Sequence, residues 1–225
     1  MKKFDIITIF PNSLESYFAT SILKRAQFRK LIKITTHDLR KWAKDKHQTV
    51  DDKPYGGGAG MLMMAEPILK AVKAIKKSKR TKIIVLSAKG NQFNQKTAYQ
   101  LAKNYDQIIF ISGRYEGIDE RVKNILKADE VSIGPYITTD GEVTSAVIIS
   151  AVARLVPGTI KLQSLAEESH WNAQLRQGEI KNKLEYPHYT RPEVIAWQGK
   201  KYKVPQVLLK GNHKKIAEWR KNKSK

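Results

Sequence analysis

The chain reads as an α/β protein with a mostly parallel sheet, and three observations carry that reading. Short Ile-, Val- and Phe-rich runs recur up to residue 111, helix-like periodicity separates them, and the texture turns polar and basic after residue 160. Apolar runs this brief, each beside a helical pattern, point to strands laid side by side with helices packed over them. The first run, residues 4–10, opens the chain as a strand interrupted by Asp5. It is too short for a signal h-region or a membrane span, so a cytoplasmic protein is expected. Asn12 or Ser13 caps a helix running to about Arg25. Residues 31–35 read as a strand, Ala65 to about Lys76 as a helix with Pro67 in its first turn, 83–86 as a strand, 94–103 as a helix and 108–111 as a strand. Residues 142–155 form a further helix, since Val147, Ile148, Ala151, Val152 and Leu155 share one stripe and Pro157-Gly158 ends it.

The expected organisation is an α/β domain over residues 1–162, a mobile polar linker over 163–183 and a small basic helical domain over 184–225. From residue 175 to the end there are fourteen Lys or Arg against four Glu, interleaved with Tyr186, Tyr189, Trp197, Tyr202 and Trp219. Over the whole chain 42 Lys and Arg stand against 21 Asp and Glu, a net charge of +21, so a polyanion is the natural partner. Nucleic acid fits better than a membrane surface, because no basic amphipathic helix carries a rich aromatic face. Cysteine is absent, which excludes disulfides, thiolate metal sites and a cysteine nucleophile.

Four glycines occupy five positions in Asp51-Asp52-Lys53-Pro54-Tyr55-Gly56-Gly57-Gly58-Ala59-Gly60-Met61. That density is costly in backbone entropy unless something passes close by or the backbone adopts unusual angles. No Gly-Lys-Ser/Thr follows for a P-loop, and no glycine at 61 completes a dinucleotide fingerprint. Three further loops, residues 86–90, 112–117 and 132–141, follow or contain strand-like sequence and so can gather at the carboxyl ends of a parallel sheet, where ligands bind. Leu86, Ile133 and Tyr136 suit an adenine ring, and Glu116 suits ribose hydroxyls or an ammonium group. A nucleotide would satisfy the same groups.

The glycine-rich stretch, Leu86-Ser87-Ala88-Lys89-Gly90, Ser112-Gly113-Arg114-Tyr115-Glu116-Gly117-Ile118-Asp119-Glu120-Arg121 and Tyr189-Thr190-Arg191-Pro192, taken in order, resemble the bacterial tRNA (guanine-N1)-methyltransferases. Those enzymes methylate the guanosine just 3′ of the anticodon, and the resemblance spans nearly the whole chain. It implies an α/β SPOUT fold whose C-terminal part threads a deep trefoil knot, followed by a small helical domain. It also implies an obligate homodimer, with the cofactor pocket of one subunit facing the RNA-binding domain of the other. The implied partners are tRNA and a second copy, with no membrane and no DNA, and the implied cofactor is S-adenosylmethionine, with magnesium assisting. The family's cofactor positions fall on Leu86, Ser87, Gly113, Tyr115, Glu116, Ile133, Gly134, Tyr136, Thr138 and Gly141, and the same segment includes Pro135 and Ile137.

Methylating guanine N1 needs a carboxylate to take its proton and a cation to stabilise charge growing on O6. The family's arginine falls on Arg154, and its linker aspartate corresponds to Glu168 in Glu168-Ser169, with Glu167 as the neighbouring alternative. The chain departs from the family pattern in several places. Gly134-Pro135-Tyr136 replaces Gly-Asp-Tyr, Asp140-Gly141-Glu142 replaces Gly-Gly-Glu, Ser112 replaces a common cysteine and Ala88 a common proline. The segment after Glu168 is also longer than usual. A non-catalytic RNA-binding protein that keeps the fold is the alternative, and retention of Arg154 with a linker carboxylate counts against it.

Overall fold

The computed structural model describes residues 1–161 and 185–224, so Glu167, Glu168 and residues 163–183 lie outside the described residues. The chain divides into two compact units after Lys161.

In the first unit the strands are β1 (Lys2–Thr8), β2 (Ile32–Asp38), β3 (Asp51–Asp52), β4 (Leu62–Met63), β5 (Thr81–Gln92), β6 (Gln107–Ser112) and β7 (Asp129–Ser132). The helices are α1 (Glu15–Phe18), α2 (Ser21–Phe28), α3 (Ala65–Ala74), α4 (Gln95–Asn104), α5 (Glu120–Leu126) and α6 (Gly141–Arg154). Five strands make one sheet in the order β2-β1-β6-β5-β7, and every neighbouring pair is parallel. Each residue of central β6 is buried, as expected of a strand covered on both faces. Alternation then sorts its side chains. Ile108 and Phe110 join Phe4, Ile6 and Ile84 beneath α2, α4 and α6, while Ile109 and Ile111 join Ile7 and Val85 beneath α3 and α5.

The helix expected from residue 13 to 25 is broken in two. Thr20 is extended and its hydroxyl donates to the Tyr17 carbonyl, a side-chain bond that ends α1, and Ser21 restarts the chain with φ +46°. The later helices begin as their caps dictate: Asn94 accepts from the Thr97 N–H, Asp119 from the Arg121 N–H and Asp140 from the Val143 N–H. The four-residue strand β7 and the seven-residue helix α5 add to the elements expected from sequence.

β5 is longer than its apolar run and carries a large bulge. Val131 of β7 pairs with both Leu86 and Asn91, so residues 87–90 leave the ladder and arch away from it. Gly90 makes this possible, because a methyl group there would lie 2.5 Å from the backbone of Glu130 and Val131.

The second unit contains β8 (Val194–Trp197), β9 (Lys200–Lys203), α7 (Gln206–Leu209) and α8 (His213–Lys223). Its helices are thus preceded by an antiparallel hairpin, whose two-residue turn Gln198-Gly199 has φ +50° and +76°. Both angles suit the turn geometry that matches strand twist. Tyr186 and Tyr189 pack within the unit, under the Arg220 guanidinium at 4.7 Å and beside Trp219 at 6.3 Å.

Candidate active site

The three expected loops do meet. The bulge after Leu86, the turn after β6 and the segment between β7 and α6 enclose a cavity of about 440 Å³ at the carboxyl ends of β5, β6 and β7. That size falls in the range of small-molecule sites. Gly141 draws the third loop onto the second: its N–H donates to the Gly113 carbonyl at 3.1 Å, and a methyl group there would stand 2.8 Å from Gly113 N and Ser112 Cα.

Ten of the twelve expected cofactor residues line the cavity: Leu86, Ser87, Gly113, Tyr115, Glu116, Ile133, Tyr136, Ile137, Thr138 and Gly141. Gly134 and Pro135 form the turn behind it. Ser132 Oγ bridges the Gly134 carbonyl and N–H at 2.9 and 3.2 Å, and a Cβ at Gly134 would collide with the Tyr136 ring, so glycine lets that ring fold back. Pro135 is exposed and outside the lining, so the donor it lacks is not one that faces the cavity.

The glycine-rich stretch supports this site from outside the sheet. β3 and β4 pair as Asp51 with Met63 and Asp52 with Leu62, which makes the run between them a hairpin tip with positive φ at Gly56, Gly57, Gly58 and Gly60. The tip is tied to the second loop: Glu116 N–H donates to the Met61 carbonyl at 3.1 Å and Met63 N–H to the Gly117 carbonyl at 2.9 Å. Gly60 has no side chain to obstruct Glu116.

The lining is acidic although the chain is basic. Glu116, Asp119, Glu120, Glu130 and Asp140 face Lys89, Arg114 and Lys123 there, five acids against three bases. All three bases are engaged. Lys89 lies 3.0 Å from Glu120 and 3.6 Å from Glu130, Lys123 lies 2.8 Å from Glu130 and 3.5 Å from Glu120, and Arg114 lies 3.6 Å from Asp140 and 3.4 Å from Glu142. Among the described residues, Glu116 has no such ion pair. A cation can therefore be matched there without breaking a bond. Burial pushes the Asp140 carboxyl up, but the Val143 N–H, the Thr139 hydroxyl and Arg114 outweigh it and hold the group below its ordinary value. Burial likewise opposes Glu130, which its bonds to Lys123 and Ser87 keep low.

Behind the wall, Glu142 is 2% exposed and accepts from the Thr8 hydroxyl, while Arg114 crosses it and stacks 4.5 Å over the Phe10 ring. Burial raises the Glu142 carboxyl above its usual value of 4.5. The pair fixes the end of β1, the second loop and the start of α6 to one another.

Arg154 is not brought to this cavity. It ends the 14-residue helix that begins at Gly141, so its backbone lies about 20 Å along the axis from the site. The turn that follows the helix reaches the residues just before β2, where Arg29 donates to the Gly158 carbonyl. The sequence reading did not assign Lys89, Arg114, Asp119, Glu120, Lys123 and Glu130 to the site. Three of these stand within its second motif, but Lys123 and Glu130 depend on α5 and β7, which no periodicity announced.

A family model described as tRNA (Guanine-1)-methyltransferase TrmD matches residues 1–225. The chain is 51% identical over 220 residues to the tRNA (guanine-N(1)-)-methyltransferase of Thermomicrobium roseum, covering 97% of this chain and 77% of that protein. It is 49% identical to the protein of the same name from Carboxydothermus hydrogenoformans, covering 99% and 82%, and 47% identical to that of Dictyoglomus turgidum, covering 100% and 85%.

Proposed function

The chain belongs to the tRNA (guanine-1)-methyltransferase family, and from that premise we propose that it transfers the methyl group of S-adenosylmethionine to N1 of the guanosine immediately 3′ of the anticodon in tRNA. The observation that carries the reading is the acidic cavity of about 440 Å³, floored by Gly113 and Gly141, in a chain of net charge +21. A cofactor with a sulfonium and an ammonium suits such a lining, and a polyanionic substrate suits the rest of the surface.

S-adenosylmethionine supplies an electrophilic methyl group when bound. Leu86 and Ile133 offer apolar contact for its adenine, the bare backbone of Gly113 and Gly141 allows close approach, and Glu116 balances its positive charge. On the substrate, Glu168 takes the N1 proton and Arg154 stabilises the charge that grows on O6. Because Arg154 lies about 20 Å from the cavity of its own chain, the reading requires a homodimer in which a second copy contributes it. Exposed Ile137, Val143 and Val147, beside the cavity and along α6, give that copy an apolar surface to cover.

The remaining parts of the proposal are a cofactor domain over residues 1–162 with the family's trefoil knot, a linker over 163–183 and a tRNA-binding domain over 184–225. Among the described residues no helix is long and apolar enough to cross a membrane, and a cytoplasmic location is part of the reading. Magnesium assistance is too. Among the described residues no three acidic or histidine side chains gather to hold a metal ion, and chelation during turnover tests the point.

The experiment is methyl transfer from labelled S-adenosylmethionine to tRNA transcripts carrying guanosine or adenosine 3′ of the anticodon. The expected result is label on the guanosine transcript alone, with reverse transcription stopping at that base. Binding of cofactor and tRNA without any transfer would favour the alternative, a non-catalytic RNA-binding protein.

A further inference from the structure

We propose that the β8–β9 hairpin is a stacking platform for unpaired RNA bases, with Trp197 and Tyr202 as the rings that bases cover. The inference rests on the tRNA reading above and adds to it a place and a mode of contact.

The register pairs Val194 with Lys203, Ile195 with Tyr202, Ala196 with Lys201 and Trp197 with Lys200. Side chains alternate across a strand, so one face presents Ile195, Trp197, Tyr202 and Lys200, and the other Val194, Ala196, Lys201 and Lys203. Trp197 and Tyr202 are diagonal neighbours on the first face, at a spacing of roughly 7–8 Å. Neither is buried: Trp197 is 65% exposed, Tyr202 56% and Ile195 52%. An isolated two-stranded hairpin is marginal in water, and leaving its apolar face open adds nothing to its stability. Stability is therefore not what the rings supply. The contrast lies within the same unit, where the Tyr186 ring is partly buried beneath the Arg220 guanidinium and Tyr189, though 48% exposed, has Trp219 as a ring partner.

Charge decides the occupant. Residues 185–224 hold ten Lys or Arg against three Glu, and all three hairpin lysines are exposed. The same unit of a second copy would repel this one, whereas RNA offers phosphates to the lysines and flat apolar bases to the rings. Duplex RNA conceals its bases in the stack, so loops with splayed bases are the fitting target.

The test uses the full chain and unmodified tRNA transcript, with affinity measured across a salt series for wild type, W197A, W197F, Y202A and the triple variant K200A/K201A/K203A. Stacking on one ring is worth about tenfold in affinity, so W197A should bind about tenfold more weakly and W197F should recover most of that loss. The slope of log affinity against log salt should not change in W197A. In the triple lysine variant it should become shallower by about 2, since each phosphate contact to a single strand contributes about 0.7. A single-stranded oligonucleotide should show the W197A loss and a blunt duplex should not.

A second measurement needs no folded variant at position 197 other than the ring-conserving one. The difference between wild type and W197F in acrylamide quenching isolates Trp197, which should be open to quencher in free protein and protected at saturating tRNA. Unchanged quenching on saturation, or W197A affinity equal to wild type while methyl transfer proceeds, overturns the platform and leaves the enzyme reading intact. Protection of Trp197 before RNA is added shows a protein contact, from a second copy or another chain, and also overturns it. Wild-type protein that binds no tRNA overturns both readings.

Discussion

Gly60 lies against Glu116 so closely that a methyl group at position 60 would stand 2.5 Å from Cγ of Glu116 and 2.6 Å from its Oε1. The glycine-rich stretch therefore has a definite partner: the one carboxylate of the cavity lining that, among the described residues, holds no cation. Gly60 also has φ +77°, a conformation that costs an L side chain roughly 1–2 kcal/mol.

Gly60→Ala should weaken S-adenosylmethionine binding by displacing the Glu116 carboxylate, in the same direction as Glu116→Gln. Since both changes act through one group, the double variant should lose less than the sum of the two. Calorimetric titration of the three variants checks this. Fully additive losses would mean that the loop acts on the cofactor by some other route.

Glu142 gives a pH prediction. Burial raises its carboxyl in the folded chain above the usual 4.5, so the folded state binds the proton more tightly than the unfolded one. The contribution to stability is complete below about pH 4.5 and is lost as pH rises through the folded value. Glu142→Gln keeps an acceptor for the Thr8 hydroxyl and removes the titration. Relative to this variant, wild type should lose stability as pH rises from 4 to 8 in urea unfolding. A flat difference, or one that grows in favour of wild type, contradicts the assignment.

Arg154→Ala should leave cofactor affinity nearly intact and lower single-turnover transfer by roughly 10²-fold or more, as loss of an oxyanion donor does. Mixing it with Glu116→Gln should restore part of the activity through hybrid dimers, each with one site that has both groups. Failure to recover after subunit exchange would place Arg154 and the cavity in the same chain's chemistry, or outside it.

These sites differ in how much of them the chain announces. The central strand was legible because residues 108–111 form a continuous apolar run, while the sorting of Ile108 and Phe110 into one core and Ile109 and Ile111 into the other follows only once the strand is placed. Pro157 marked a helix end through its backbone limits, and residue 94 was read as the start of a helix that its side chain in fact caps, whereas the cap at Asp140 went unread. The β7 strand was not legible: it has four residues, two of them charged, and pairs only because the bulged β5 provides its edge. The hairpin offered a weak signal, Gln198-Gly199 between alternating runs, where Asn-Gly would have been a strong one. In the site, glycines exposed the loops, but the approach of Gly60 to Glu116 is a long-range contact that no local pattern encodes.

Glu168, proposed as the base, lies outside the described residues. Glu168 stands nearest the family's aspartate, yet a glutamate reaches one methylene further, about 1.5 Å, and an error of about 1 Å can cost about 10²-fold when nothing compensates. If Glu168 is the base, the site is matched to the reach of a glutamate and not to that of an aspartate. On this view Glu168→Gln abolishes transfer while both ligands still bind. Glu168→Asp is impaired as well, although it moves the chain toward the family pattern, because the shorter carboxylate falls short of N1–H. Arg154 would remain able to polarise O6 in each variant, so the defect should lie in the proton-transfer step and appear in single-turnover rates rather than in affinity. Glu167→Gln, measured beside them, should stay near wild type. If Glu167→Gln is the inactive variant and Glu168→Gln turns over normally, the base is Glu167 and the correspondence is displaced by one residue.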